Sequence, residues 1–174
     1  MYINVGCPGR CHDAGIFEKS HLKRLLDGEK LHEHSKVING VRVPIFVLGD
    51  SAFKLENYLM KPYPFSTAST VAEKTFNYCL SKARRVVENA FGQLKGRFRR
   101  IGKGIDNKYS NVNAITKACC VLHNFCNENN CEISATWVDV IGVHGTSCVD
   151  DPEEENVNAR AEEIRRILAQ YLSS

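Results

Sequence analysis

Two carboxylates stand in settings that suit phosphodiester chemistry. Asp50 closes the apolar run Pro44-Ile45-Phe46-Val47-Leu48-Gly49, and Glu88 lies inside SKARRVVENAFGQLKGRFRR, the most basic stretch of the chain. An acid just beyond a buried strand marks the place where ligands bind in open α/β sheets. An acid on a cationic helix can hold a divalent ion while the neighbouring cations take up phosphate charge. A two-ion site normally uses a third carboxylate on a neighbouring strand, and the residues ahead of Asp50 offer no obvious one.

Each acid also has a plainer reading. Asp50 can open a turn or cap the next segment, and Glu88 can pair along its helix with Arg84 or Arg85. The ion pair leaves Gly92 and Gly96 unexplained, because a glycine inside a helix costs roughly 1 kcal/mol relative to alanine. Close approach to the backbone on that side would account for both. The cations Lys95, Arg97, Arg99, Arg100 and Lys103 do not share one helical face. Spread around a helix end, they suit phosphate contact better than base reading. A solvated face or a nuclear import signal would use them equally well.

Other chemistry-bearing residues favour structural roles. His12-Asp13 could form a dyad, but Asp13 as a helix N-cap is the simpler account. His32 and His34 fall in a polar loop. Cys120, His123 and Cys126 have helical spacing that a zinc site could use, yet the apolar residues around them mark a buried helix with His123 as a hydrogen-bonded core residue. Eight cysteines without any Cys-x-x-Cys pair and without a secretory start read as reduced thiols of an intracellular protein. No Gly-rich phosphate loop, Gly-x-Ser-x-Gly elbow or His-Glu-x-x-His helix occurs.

The elements that must position these groups follow from periodicity. Tyr2–Val5 alternates like a strand and runs into the turn Gly6-Cys7-Pro8-Gly9. A helix capped by Asp13 carries Ile16, Phe17, Leu22, Leu25 and Leu26. Residues 27–41 read as a loop or hairpin, and Val43–Leu48 as a strand buried on both faces. Pro62 and Pro64 stop any helix in the segment that follows. Phe76, Leu80, Ala83, Val87, Ala90, Phe91, Leu94 and Phe98 then mark one apolar stripe of a long helix. Ser81, Arg85, Glu88, Gly92, Lys95 and Arg99 keep the same period on a polar stripe. Val112–Phe125 reads as a largely buried helix, Trp137–Ile141 as a strand, and Ile164, Ile167, Leu168, Tyr171 and Leu172 as the apolar face of a terminal helix.

The 174 residues suit one domain with a real core, and the hydrophobic and charged fractions of 43% and 25% are those of a globular protein. The net charge of +3 hides an asymmetry. Residues 82–103 are strongly basic, with Glu88 their only acid, whereas residues 150–163 are acidic apart from Arg160. A basic middle fits a polyanion partner, and the acidic tail a solvated or self-shielding segment.

Four segments, in order, resemble the PIF/Harbinger transposases and the nucleases derived from them: GCPGRCHDAGIF, VLGDSAFKLENYLMKPY, FNYCLSKARRVVENAFGQLKGRFRRI and CCVLHNFC. The resemblance covers most of residues 1–126. It implies an α/β fold of the RNase H-like (DDE transposase/integrase) type, lacking its first strands and followed by C-terminal helices. The division along the chain is then residues 1–126 as a partial nuclease domain, 127–152 as a connector, and 153–174 as an acidic, then amphipathic helix. An Asp-Asp-Glu triad holds divalent metal in this family. Asp50 matches its second acid and Glu88 its third, and oxygen ligands favour Mg²⁺ or Mn²⁺. The first acid belongs to a segment upstream of GCPGRCHDAGIF, so the chain reads as N-terminally truncated, and Asp13 does not replace that acid. Arg85, Lys95, Arg97, Arg99 and Arg100 become the DNA-facing cations. The resemblance further implies DNA as substrate, a Myb-like partner for target choice and a nuclear location. The alternative is a non-catalytic DNA- or partner-binding remnant that uses the basic helix and the tail.

Overall fold

The computed structural model describes residues 3–7, 10–28, 33–132 and 158–174. The expected strand at Trp137–Ile141, the acidic run 150–155, His32 and Cys148 lie outside them. Contacts divide the chain into two units, one of Met1–Pro8 with Arg85–Thr146 and one of Gly9–Arg84 with Ser147–Ser174. These boundaries differ from the divisions at 126 and 152 drawn along the sequence. Among the described residues, no helix is long and apolar enough to cross a membrane.

The second unit begins with two short helices, α1 (Asp13–Glu18) and α2 (His21–Asp27), where a single one was expected. The break falls at Ser20, whose hydroxyl accepts the Lys23 amide as the N-cap of α2. The N-cap of α1 is His12 rather than Asp13, which sits in the first turn. A hairpin follows: β1 (Ser35–Ile38) pairs antiparallel with β2 (Val41–Pro44), Ser35 opposite Pro44 and Ile38 opposite Val41. Asn39 and Gly40 both have positive φ, the backbone that Asn-Gly supplies in a two-residue turn.

The expected continuous strand Val43–Leu48 is split. Pro44 ends β2 and cannot donate to a ladder. The chain then changes partner, and β3 (Val47–Leu48) pairs parallel with β4 (Leu59–Met60). Ile45 is half exposed and Leu48 partly so, which corrects the reading of a run buried on both faces. The segment around Pro62 and Pro64 is free of helix, as expected.

The core of this unit joins Ile38, Val43, Leu55, Met60, Phe76 and Leu80 to Ile164, Ile167 and Leu168. The last three come from α6 (Ala159–Ser173), so the terminal helix lies within the core. Asn158 caps α6 and also reaches Glu56. The buried Arg165 stacks on Tyr63, 4.0 Å from its ring centre, and bonds to Glu162 and to the Pro62 carbonyl. A smaller cluster of Leu26, Tyr58 and Leu59 seats α2. There Asp27 accepts from both Lys23 and the Tyr58 hydroxyl. Burial, reinforced by Asp27, pushes that hydroxyl up to about 12.

Helix α3 (Val71–Arg97) starts in a reciprocal cap. Thr70 accepts the Glu73 amide while the Glu73 carboxylate accepts the Ser69 and Thr70 amides, which lowers its pKa. In the first unit lie the later turns of α3, then α4 (Arg99–Lys103) and α5 (Tyr109–Glu128). Residues 3–5 are not a strand. Gly6 has positive φ, and a side chain there would strike Asn113 of α5. The expected burial of α5 is corrected, because His123 is its one buried residue and Val121, Leu122 and Phe125 are more than half exposed. Val87 and Phe91 on α3 are likewise exposed. Periodicity reports which face of a helix is apolar and says nothing of what covers it.

Candidate functional site

Asp50 sits two residues beyond β3, at its carboxyl end. The Gly49 amide donates to the Met60 carbonyl at 2.9 Å, extending the parallel pairing up to the acid. A side chain at position 49 would press on Leu59 at 2.9 Å and Phe53 at 3.0 Å, so glycine is what lets the chain close there. One Asp50 oxygen accepts the Ala52 amide at 3.0 Å, the turn that the plainer reading expected. The other lies 3.9 Å from Arg84, and the carboxylate stays about one-third open to solvent. Strand end, turn and arginine therefore fix a carboxylate that still has free oxygen surface.

Glu88 belongs to the other unit and is exposed on α3. The intrahelical pair expected for it does not form: among the described residues no ion pair involves Glu88, and Arg84 is paired with Asp50 instead. A side chain at Gly92, one turn further on, would meet nothing within 4 Å among the described residues. Helix geometry alone does not demand glycine there, so Gly92→Ala should stabilise the helix by roughly 1 kcal/mol. A raised thermal midpoint together with weakened DNA binding would assign the open backbone to ligand approach. Unchanged binding would make Gly92 incidental.

The cations separate into two kinds. Arg85, Lys95, Arg99 and Arg100 are exposed. Arg97 is half-buried and engaged inside the protein. Its guanidinium donates to the His123 carbonyl at 3.1 Å, to Asn127 Oδ1 at 3.1 Å and to the Cys131 carbonyl at 2.8 Å, tying the end of α3 to the end of α5. This geometry serves packing, which sets Arg97 apart from the four exposed cations.

His123 is buried, as expected. Donor groups face both ring nitrogens, Arg97 at Nδ1 (3.3 Å) and the Asn127 amide at Nε2 (3.2 Å). A neutral ring offers them one lone pair and a protonated ring none. Burial first, and then the Arg97 charge, lower its pKa below the ordinary 6.5. As pH falls through 6.5 the unfolded chain takes up the proton first, so this junction is fully stable above 6.5 and weakens below it. Arg97→Ala should cost about 2 kcal/mol and move the His123 pKa upward. Denaturant midpoints on both sides of pH 6.5 and the imidazole NMR titration check both effects.

The seven described cysteines are free thiols. Among the described residues, no three His, Cys, Asp or Glu side chains are grouped to hold a metal ion. His123, which shares α5 with Cys120 and Cys126, is engaged by Arg97 and Asn127.

A family model described as DDE superfamily endonuclease matches residues 1–124. The chain belongs to that family. Two mammalian proteins named "Putative nuclease HARBI1", from Bos taurus and Homo sapiens, are 28% and 27% identical over 97% of the chain. The chain spans 45% of their length. "Protein ALP1-like" of Arabidopsis thaliana is 29% identical over 70% of the chain, or 30% of its own length. No solved structure matches. The resemblance to the PIF/Harbinger group is borne out by these relatives. DDE superfamily endonucleases generally use divalent metals. The mixed α/β character is borne out too, among the described residues as two two-stranded sheets between helices.

Sequence reasoning missed Arg84. It was placed beside Glu88 by helical spacing, and only the tertiary structure brings it to Asp50. No local signal in the sequence reports such a pair.

Proposed function

We propose that the chain forms part of a divalent-metal-dependent DNA endonuclease of transposase descent, with an RNase H-like catalytic domain. Asp50 carries the reading: a partly open carboxylate at the carboxyl end of a parallel-paired strand, in a chain of the DDE endonuclease family. Asp50 and Glu88 would hold the ion, since hard oxygen donors fit Mg²⁺ or Mn²⁺.

When bound, such ions activate water or a 3′-hydroxyl and stabilise the leaving oxygen. The chain's own residues do the rest. Arg84 and the Ala52 amide orient Asp50. Exposed Arg85, Lys95, Arg99 and Arg100 would neutralise backbone phosphates and hold DNA without reading its sequence. Target choice would come from a Myb-like partner, and the protein would work in the nucleus.

The test is nicking of supercoiled DNA in Mg²⁺ by a protein that contains this chain. Cleavage that survives Glu88→Gln would sink the assignment. DNA binding that weakens with salt but never leads to cleavage would favour the non-catalytic remnant.

A further inference from the structure

The second unit carries a groove that the metal chemistry leaves unused. It encloses about 310 Å³ and is lined by Phe65, Ala68, Lys74, Asn77, Tyr78 and Ser81. That volume is at the small end of the range for ligand pockets. Two aromatic side chains dominate it, Phe65 at 78% exposure and Tyr78 at 63%. Neither contributes to the buried clusters of this unit. On α3, Lys74, Tyr78 and Lys82 recur at four-residue steps, so an exposed aromatic stands between two exposed cations on one helical face.

The polar groups limit what the groove can recognise. Asn77 is buried, and its amide is committed to the Tyr63 backbone, accepting the amide at 2.8 Å and donating to the carbonyl at 2.9 Å. Glu73 is turned to the helix cap by its bonds to Ser69 and Thr70. The groove thus offers exposed aromatic side chains and positive charge, with the hydroxyls of Tyr78 and Ser81 as its remaining polar groups. Duplex DNA keeps its base faces stacked inside, whereas a single strand presents them. Interleaved aromatics and cations are what unpaired nucleic acid binds, with little preference for sequence.

We infer that this groove seats unpaired bases of single-stranded DNA on Phe65 and Tyr78, with Lys74 and Lys82 drawing in the flanking phosphates. The inference rests on the reading of DNA as substrate, and it adds a place for strand ends or locally opened duplex.

The experiment is fluorescence anisotropy of a labelled oligothymidine and of a labelled duplex with the 174-residue chain, in EDTA so that metal plays no part. Phe65→Ala and Tyr78→Ala should each weaken oligothymidine binding about tenfold, and Tyr78→Phe should restore it. Lys74→Ala and Lys82→Ala should each lower the salt slope by about 0.7. Duplex affinity should move less than about twofold with either aromatic change, since phosphate contact carries it. Both aromatic residues are exposed, so thermal midpoints should stay in place and report intact folding. Oligothymidine affinity indifferent to both aromatics overturns the groove, and if cleavage still depends on Asp50 and Glu88 the nuclease reading stands. Absence of oligothymidine binding overturns the groove and leaves the nuclease reading to the nicking test in Mg²⁺. Aromatic-dependent oligothymidine binding upholds the groove, whatever the nicking test says of Asp50 and Glu88.

Discussion

Replacing Asp50 with asparagine, or Glu88 with glutamine, is expected to lower Mn²⁺ affinity by at least roughly 100-fold, because loss of mere supporting partners already costs about 10- to 100-fold. Each change swaps an anionic oxygen for a neutral amide while keeping size and shape. The structure makes both changes clean. In Asp50→Asn the amide oxygen would still accept from the Ala52 backbone, and the 3.9 Å contact to Arg84 is a part-exposed pair worth about 1 kcal/mol or less. Glu88 is exposed and has no ion pair among the described residues, so Glu88→Gln should alter stability by less than about 0.5 kcal/mol. Any large loss therefore reports on the ion. Titration of Mn²⁺, followed by its paramagnetic resonance signal, reads the affinity without requiring cleavage. If both acids serve one site, the double variant should lose little beyond either single one. Loss with Asp50→Asn alone would return Glu88 to an ordinary helix-surface acid, and wild-type affinity in both variants would remove the metal from this pair.

The parts of the fold legible in the sequence are those set by local chemistry. Helix α3 was visible because its apolar residues recur over many turns, and Pro62 and Pro64 marked where no helix could run. The hairpin was legible only as a choice between loop and hairpin, although Asn39-Gly40 carried the signal for its turn. What failed depended on partners distant in sequence. Val43–Leu48 reads as one strand because composition cannot reveal that Pro44 ends pairing with β1 and that Val47 begins pairing with Leu59. The apolar stripe of α5 was visible and its exposure was not. In the candidate site, the acids could be singled out by type and setting. Arg97 could not be told from its neighbours, because five cations within a few residues look alike until one of them meets His123 and Asn127.

Ile164→Ala is expected to destabilise the second unit by about 3 kcal/mol, within the roughly 2–5 kcal/mol range for emptying a buried isoleucine site. Ile164 is fully buried and packs in the cluster formed by Met60, Phe76 and Leu80 together with Ile167 and Leu168 of its own helix. Truncation there removes three carbons from a fully buried site in a helix that packs on the β1–β2 hairpin. Ile164→Val should cost only about 0.5–1.5 kcal/mol, which separates cavity formation from loss of helix propensity. The comparison bears on function, because the alternative of a non-catalytic remnant uses the tail for binding. A docking helix would keep its apolar face available and would tolerate alanine with little change in the denaturant midpoint. In α6 that face is already spent on the core with Ile38, Val43 and Met60, so a large drop for Ile164→Ala and none for the exposed Tyr171→Ala would make the helix part of the scaffold of the second unit. Equal, small effects at both positions would restore the tail to a role in binding.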